Sequence, residues 1–365
     1  LLGLATALKK MVDSGAIARP ERTITFLWGD EMNLATLWLN SHPDEKAKVI
    51  SALDMDMVGE DPDKTGGVMR IEKTPDPSAK YNYTLDTLPW ETDSYYDETF
   101  ADPDGQFIRL PDSHTLWGAG SYEGMFQEGF FLNDLYMYAA QGVINYHDSD
   151  FRVDVCPYEG GSDHSRFLAQ NVPALLTWHF TDYTYHSSVD TLNMSSAREM
   201  ENVSITTMAT ALMIANATDG NEALALEILG TVMMAALDRF DMEQANTENH
   251  RIYTLAHGKD FTAALANEKE VLQAWADWYK EALASPAEYL LDAPSQIFRD
   301  TQAELLDLLE QRLALALACA DEYLQDEVTH TGLVKIDAAA PTFSEPGNIE
   351  FWYCQNCGKL FADPQ

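Results

Sequence analysis

Basic residues are scarce in this chain of 365 residues: 23 Lys+Arg stand against 59 Asp+Glu, for a formal net charge of -36. A surface of that sign repels phosphate backbones and anionic lipid headgroups, which argues against nucleic acid and the membrane surface as partners. The same acidity suits a saline or extracytoplasmic setting. Cysteine is scarcer still. The 4 residues Cys156, Cys319, Cys354 and Cys357 are too few and too scattered for a disulfide scaffold. No apolar run approaches the roughly 18 residues of a membrane span. Internal repeats and low-complexity tracts are absent as well. The chain is 46% hydrophobic and 11% aromatic, which describes a globular protein able to bury a full core.

The opening stretch "LLGLATALKKMVDSG" places Leu1, Leu4, Ala5, Leu8, Met11 and Val12 at helical spacing, with Gly15 to close the helix. Lys9 and Lys10 follow the apolar residues, the reverse of a signal peptide, so an amphipathic core helix is expected. From residue 1 to 218, short strand candidates alternate with helical patterns, the signature of an α/β layer fold. The strands are "RTITFLW" (22–28), "KVISALDMDMVG" (48–59), "FRVDVC" (151–156) and "VPALLTWHF" (172–180). Helices are expected near 31–40, 124–142, 163–170 and 196–217. The segment 74–123, rich in Pro, Asp, Tyr and Gly, breaks the rhythm and suggests a long surface insertion. Residues 219–336 carry Leu and Ala at helical spacing with charges opposite, an all-helical region. Residues 337–365 form a Pro/Ala-rich linker and a Cys-x-x-Cys tail.

Four segments concentrate ligand-type side chains at or just after predicted strands, where open α/β sheets place their sites. They are Asp30-Glu31, then Asp54 and Asp56 in "LDMDMVGE", then Asp163 and His164 in "YEGGSDHSRF". The fourth, "HFTDYTYHSSVDTLN", holds His179, Asp182, His186 and Asp190. Carboxylates with imidazole and no thiolate suit Zn²⁺ or another borderline divalent ion. Each group also has a structural reading. Asp30 and Glu31 fit a polar turn before a helix, and Asp54 and Asp56 an ion pair. His164 and His179 fit satisfied core histidines, and Ser162 or Asp163 a helix cap.

Taken in order, "FLWGDE", "ALDMDMVGE", "GGSDHSRFLAQNVPALLTWHF" and "YHSSVDTLN" resemble the co-catalytic zinc aminopeptidases, metallopeptidase family twenty-eight, over about residues 1–217. That family also includes glutamate carboxypeptidase-like and glutaminyl cyclase-like members. The resemblance implies a central mixed, mostly parallel sheet flanked by helices, and two zinc ions. It assigns Glu31 and His186 to one zinc and Asp56 to the other. Asp30 falls at the general-base position, where the family carries Glu, and Asp54 where it usually carries Asn. One carboxylate on the metal beside another that is free to take a proton is what a metal hydrolase needs. Adjacent residues supply both if the backbone turns between them.

The resemblance further implies a peptide substrate and an exopeptidase activity, an aminopeptidase first. A glutaminyl cyclase-like single-zinc enzyme and a non-catalytic binding or dimerisation module on the same scaffold are its alternatives. The family's remaining ligands, a His and a bridging Asp, lie upstream of the helix at which this chain starts, so an N-terminally truncated fragment is expected. In the insertion, Tyr81, Tyr83, Trp90, Tyr95 and Tyr96 fit a substrate-cleft lining or a packed loop. Cys354 and Cys357 form half of a zinc ribbon or a simple pair. Asn82, Asn193, Asn202 and Asn216 lie in N-x-[ST] sequons.

Overall fold

The run "ALLTWHF" has no polar face, and all seven residues of the strand it forms, β4 (Ala174–Phe180), are buried. A strand covered on both faces belongs inside a sheet. The structure, a computed structural model, describes residues 1–81, 109, 112, 114–115, 117–118, 120–256, 261–323, 333–338, 351–354 and 360–361. β1 (Ala52–Met55) runs parallel to β4 on one side, with Ala52 opposite Ala174. β2 (Val68–Glu72) runs antiparallel to β4 on the other, with Val68 opposite Phe180. β3 (Val153–Cys156) lies parallel to β2 at the far edge. The order β1-β4-β2-β3 makes a small mixed sheet, flanked by helices and followed by a helical C-terminal region.

Three of the expected strands are present and one is not. Residues 22–28 alternate half-buried and exposed as a strand would, yet they join no ladder. Arg22 is used instead to close helix ends. Its N–H donates to Ala215 O, and its guanidinium reaches the carbonyls of Ile214, Ala217 and Leu290. In its place β2 joins the sheet, a strand the periodicity did not suggest.

Among the helices that follow, two start on a capping side chain. α1 (Leu2–Asp13) and α2 (Asn33–Ser41) are the expected helices, although α1 buries only Leu4 and is not the core helix expected, and a short turn, α3 (Pro43–Lys46), follows. α4 (Pro62–Thr65) has Asp61 accepting from Asp63 N–H, Pro62 in its first turn and left-handed Gly66 at its end. α5 (Pro77–Tyr81) precedes α6 (Leu132–Tyr146), and α7 (His164–Leu168) precedes α8 (Ala197–Asn216). At the start of α8, Ser196 Oγ accepts from Glu199 N–H at 3.3 Å, the Ser-x-x-Glu capping pattern.

α6 starts later than the 124–142 pattern implies, because 124–131 is a packing loop carrying buried Phe126, Phe130 and Phe131. A Cβ at Gly129 would sit 1.8 Å from Trp278 O. Gly129→Ala is therefore expected to push the loop off its neighbour and destabilise the fold by about 1–3 kcal/mol or more, read as a lower denaturant midpoint. An unchanged midpoint would mean that the loop does not pack there.

The segment 74–123 is not a surface insertion where it is described. Thr74, Asp76, Ser78, Arg109, Asp112, His114 and Thr115 are all buried. Tyr81 is half-buried and its hydroxyl donates to Glu270 at 2.7 Å. Tyr83, Trp90, Tyr95 and Tyr96 lie outside the described residues.

α9 (Glu222–Ala256), α10 (Phe261–Leu290) and α11 (Gln296–Glu322) follow. α9 packs on α10 and α6, and α10 on α5, so the change of texture near residue 219 falls inside one compact unit, Leu1–Ala318. An ion network joins these helices to the residues after β2. Lys73 lies 2.6 Å from Asp76 and 3.3 Å from Asp112, and Arg239 pairs with Asp112. Arg109 bridges Glu243 and Glu268, and Glu268 also meets His250 at 2.6 Å.

The second unit is Cys319–Gln365. Its strands β5 (Leu333–Ile336), β6 (Phe351–Cys354) and β7 (Leu360–Phe361) form an antiparallel sheet, with Cys354 opposite Leu333. Cys357 lies outside the described residues. Among the described residues no helix is long and apolar enough to cross a membrane.

Candidate active site

Asp54 and Asp56 stand at the end of β1, two residues apart and therefore on one face. Parallel β1 and β4 bring the loops after them together at that end of the sheet. Ser162 Oγ donates to Asp56 Oδ2 at 2.9 Å, and His164 N–H to Asp54 Oδ2 at 2.8 Å. The "GGSDH" turn is thus anchored by both carboxylates. Asp163 does not cap α7 with its side chain; its Oδ1 accepts from Met32 N–H at 2.6 Å, which ties the 30–32 turn to the site.

Electrostatics show what this turn delivers. Glu31 is exposed, and its carboxyl is pushed up by partial desolvation first, then by Asp56, Asp163 and Asp54, with His186 working against the shift. Asp56 is raised by burial and by Asp54, while the Ser162 bond opposes. Asp163 is raised by burial and by the same two aspartates, with the Met32 bond opposing. Burial, Asp56 and Glu31 raise the Tyr185 phenol too. Tyr185 stacks on His186 with ring centroids 3.7 Å apart. Glu31, Asp54, Asp56, Asp163, Tyr185 and His186 therefore share one neighbourhood with an excess of negative charge.

Backbone strain gathers in the same place. Among the described residues, the positive-φ non-glycine residues are Met32 (φ 62), Met57 (φ 49), Asn171 (φ 58) and His186 (φ 54). Two directly follow candidate ligands and a third is one. Such conformations cost about 1–3 kcal/mol each and persist only where the surroundings impose them. At Met57 the surroundings are visible. Its carbonyl accepts from His179 N–H at 2.9 Å and lies 3.0 Å from His179 Nδ1. His179 is a buried support, held also by Glu199 at 3.3 Å. His164 is likewise a buried support, between Asp54 and Glu72. Asp182 shapes its own turn, accepting from Thr184 N–H and Oγ1.

Asp30 is exposed, and its Oδ2 accepts from Asn33 Nδ2 at 2.7 Å, so here it serves as a turn residue. Glu31, Asp56 and His186 do not all lie within 4.8 Å of one another; among the described residues the group that does is Glu72, Cys156 and Glu159. No single ion is gathered by all three expected ligands as the side chains stand. That is compatible with their division between two ions.

Several supporting residues were not singled out from sequence. Glu72 ends β2 as Asp54 and Asp56 end β1, and a charge closing a short apolar run was the available signal. Trp117, edge-on to Trp178, Phe180 and Tyr185, walls the site from a segment with no periodicity to read. Asn202 in one sequon is buried with its amide on Asp148, so it is no glycan acceptor in this fold.

Comparisons with protein-family profiles, curated proteins and solved structures returned no match.

Proposed function

We propose that this protein is a zinc-dependent exopeptidase of the aminopeptidase kind, releasing N-terminal residues from peptides. The observation that carries the reading is the shared neighbourhood of Glu31, Asp56 and His186, in which Asp56 raises the Glu31 carboxyl and His186 opposes the rise, beside a strained backbone. Two carboxylates and an imidazole are a fitting donor set for zinc. Held by Glu31, Asp56 and His186, zinc would supply polarisation of the scissile carbonyl and a more acidic water. The other work falls to the chain. Asp30 takes a proton and returns it to the leaving amine, once its carboxylate turns from Asn33. Tyr185 and Trp117 border the space where a substrate side chain would lie.

The bond between Asp30 and Asn33 also favours a second reading, a peptidase-fold module that binds without hydrolysing. The full gene product decides between them. Hydrolysis of an aminoacyl anilide, abolished by chelator, restored by zinc and absent on an N-blocked peptide, is the expected result. Because the carboxyls of Glu31 and Asp56 are raised, protons compete with the ion, and activity should fall as pH drops into the carboxylate range. Zinc binding without turnover would leave the binding module. Cleavage of the N-blocked peptide would exclude an aminopeptidase.

A further inference from the structure

The parallel pairing of β2 with β3 sets Glu72 opposite Cys156 at the ends of neighbouring strands. The next turn returns over them: Glu159 and Gly160 donate their N–H groups to Glu72 Oε1 at 2.9 and 2.7 Å. His164 Nε2 meets the same oxygen at 2.7 Å. One oxygen of Glu72 is thus fully used. The other, Oε2, is buried without a hydrogen-bond partner among the described residues. Glu72, Cys156 and Glu159 are all buried, and one ligand atom from each lies within 4.8 Å of the others. Glu159 accepts from Thr115 N–H and Oγ1 at 2.5 Å each. Beside it stands buried His114, Nδ1 3.3 Å from Glu159 Oε1, with neither ring nitrogen in a formed hydrogen bond.

A carboxylate oxygen sealed from water without a donor costs at least about 1–3 kcal/mol, and two buried carboxylates beside one another add repulsion. His164 offsets part of that charge from one side only. We propose that Glu72, Cys156 and Glu159 form a buried structural site for a divalent ion of borderline softness, with the His114 imidazole beside Glu159 and that of His164 on Glu72. One thiolate with two carboxylates is a donor set that zinc accepts, and cobalt in its place. Around a tetrahedral zinc with Zn–S about 2.3 Å and Zn–O about 2.0–2.2 Å, ligand atoms stand roughly 3.3–3.7 Å apart, so atoms at the 4.8 Å limit close by about 1–1.5 Å when the ion binds.

Burial raises the Cys156 thiol, so the free thiol keeps its proton; binding the ion releases that proton to solvent and leaves a thiolate on the metal. With no exposed ligand the ion enters as the chain folds, pinning the β2 and β3 ends under the 157–161 turn. This inference is independent of the peptidase reading, whose ligands contain no sulfur.

That difference supplies the test. The full chain, with Cys319, Cys354 and Cys357 replaced by Ser, is expressed in minimal medium with cobalt(II), and its metal content and near-ultraviolet absorption are measured. The expected result is retained cobalt with a sulfur-to-cobalt charge-transfer band. Cys156→Ser, close to isosteric, should abolish the band, and Glu159→Gln should lower retention of the band-giving ion at least about 10-fold. Folded protein with no band overturns the proposal, since a proton shared between the two glutamates then balances the charge. Cobalt bound without the band places the ion elsewhere and overturns it equally, as does a band that survives Cys156→Ser.

Discussion

Asp30→Asn in the full gene product is expected to cut turnover of an aminoacyl substrate by about 10²–10⁴-fold while leaving the zinc content unchanged. The turn should survive the change. Asn keeps an oxygen able to accept from Asn33 Nδ2, and the other tie of the turn, Met32 N–H to Asp163, does not involve residue 30. Only the proton acceptor is removed. Glu31→Gln tests the neighbouring position in the opposite way. It removes a charged donor from the shared carboxylate group, so metal and activity should be lost together. Metal content and turnover measured on all three proteins separate the roles. Equal turnover in wild type and Asp30→Asn would reduce Asp30 to the turn residue that its bond to Asn33 shows. Unchanged zinc content in Glu31→Gln would remove Glu31 from the ligand set.

What was legible in the sequence was what local chemistry decides. The seven buried residues of β4 and the helix expected near 196–217 lie in contiguous stretches with their signals intact. Strand 22–28 was misread because pairing is non-local. Its alternation is real, but the groups that take Arg22 come from residues 214–217 and 290. β2 was missed for the converse reason. Arg70 and Glu72 make "VMRIE" look like surface, and their partners are far off in sequence: Asp154 and Phe180 O for Arg70, His164 and the 159–160 amides for Glu72. The candidate site divides along the same line. Glu31, Asp56 and His186 were singled out by motif order, and what the structure adds is that Asp56 and His186 act on the Glu31 carboxyl. The strain at Met32 and Met57, and the tie from Asp163 to the 30–32 turn, depend on contacts across more than a hundred residues and left no local trace.

Arg239→Met is expected to destabilise the fold by about 3–5 kcal/mol, the usual cost of removing one partner from a buried ion pair. Arg239 comes from α9 and lies 4.1 Å above the Trp275 ring of α10, with Asp112 and Glu243 as its ionic partners. Methionine fills much of the stem's volume, so packing changes little and the charge is the main loss. Asp112 would then be left fully buried with Lys73 at 3.3 Å as its principal cation. In the intact protein, burial pushes the Asp112 carboxyl up, but Arg239 and then Lys73 overcome it and hold it at about 2, below its ordinary 3.8. The sign of the linkage follows. A depressed carboxyl contributes stability above pH 3.8 that is lost as pH falls towards 2, on the order of 2 kcal/mol at 1.36 kcal/mol per unit. The variant should therefore be flatter than wild type in that acid window. Pairing Arg239→Met with Asp112→Leu should recover most of the loss, because a buried pair replaced by apolar groups is often neutral. Denaturant unfolding of the single and double variants at neutral pH measures both terms. A single variant that costs under about 1 kcal/mol would show the pair to be exposed in solution, and with it this ionic seam between the long helices and the residues following β2.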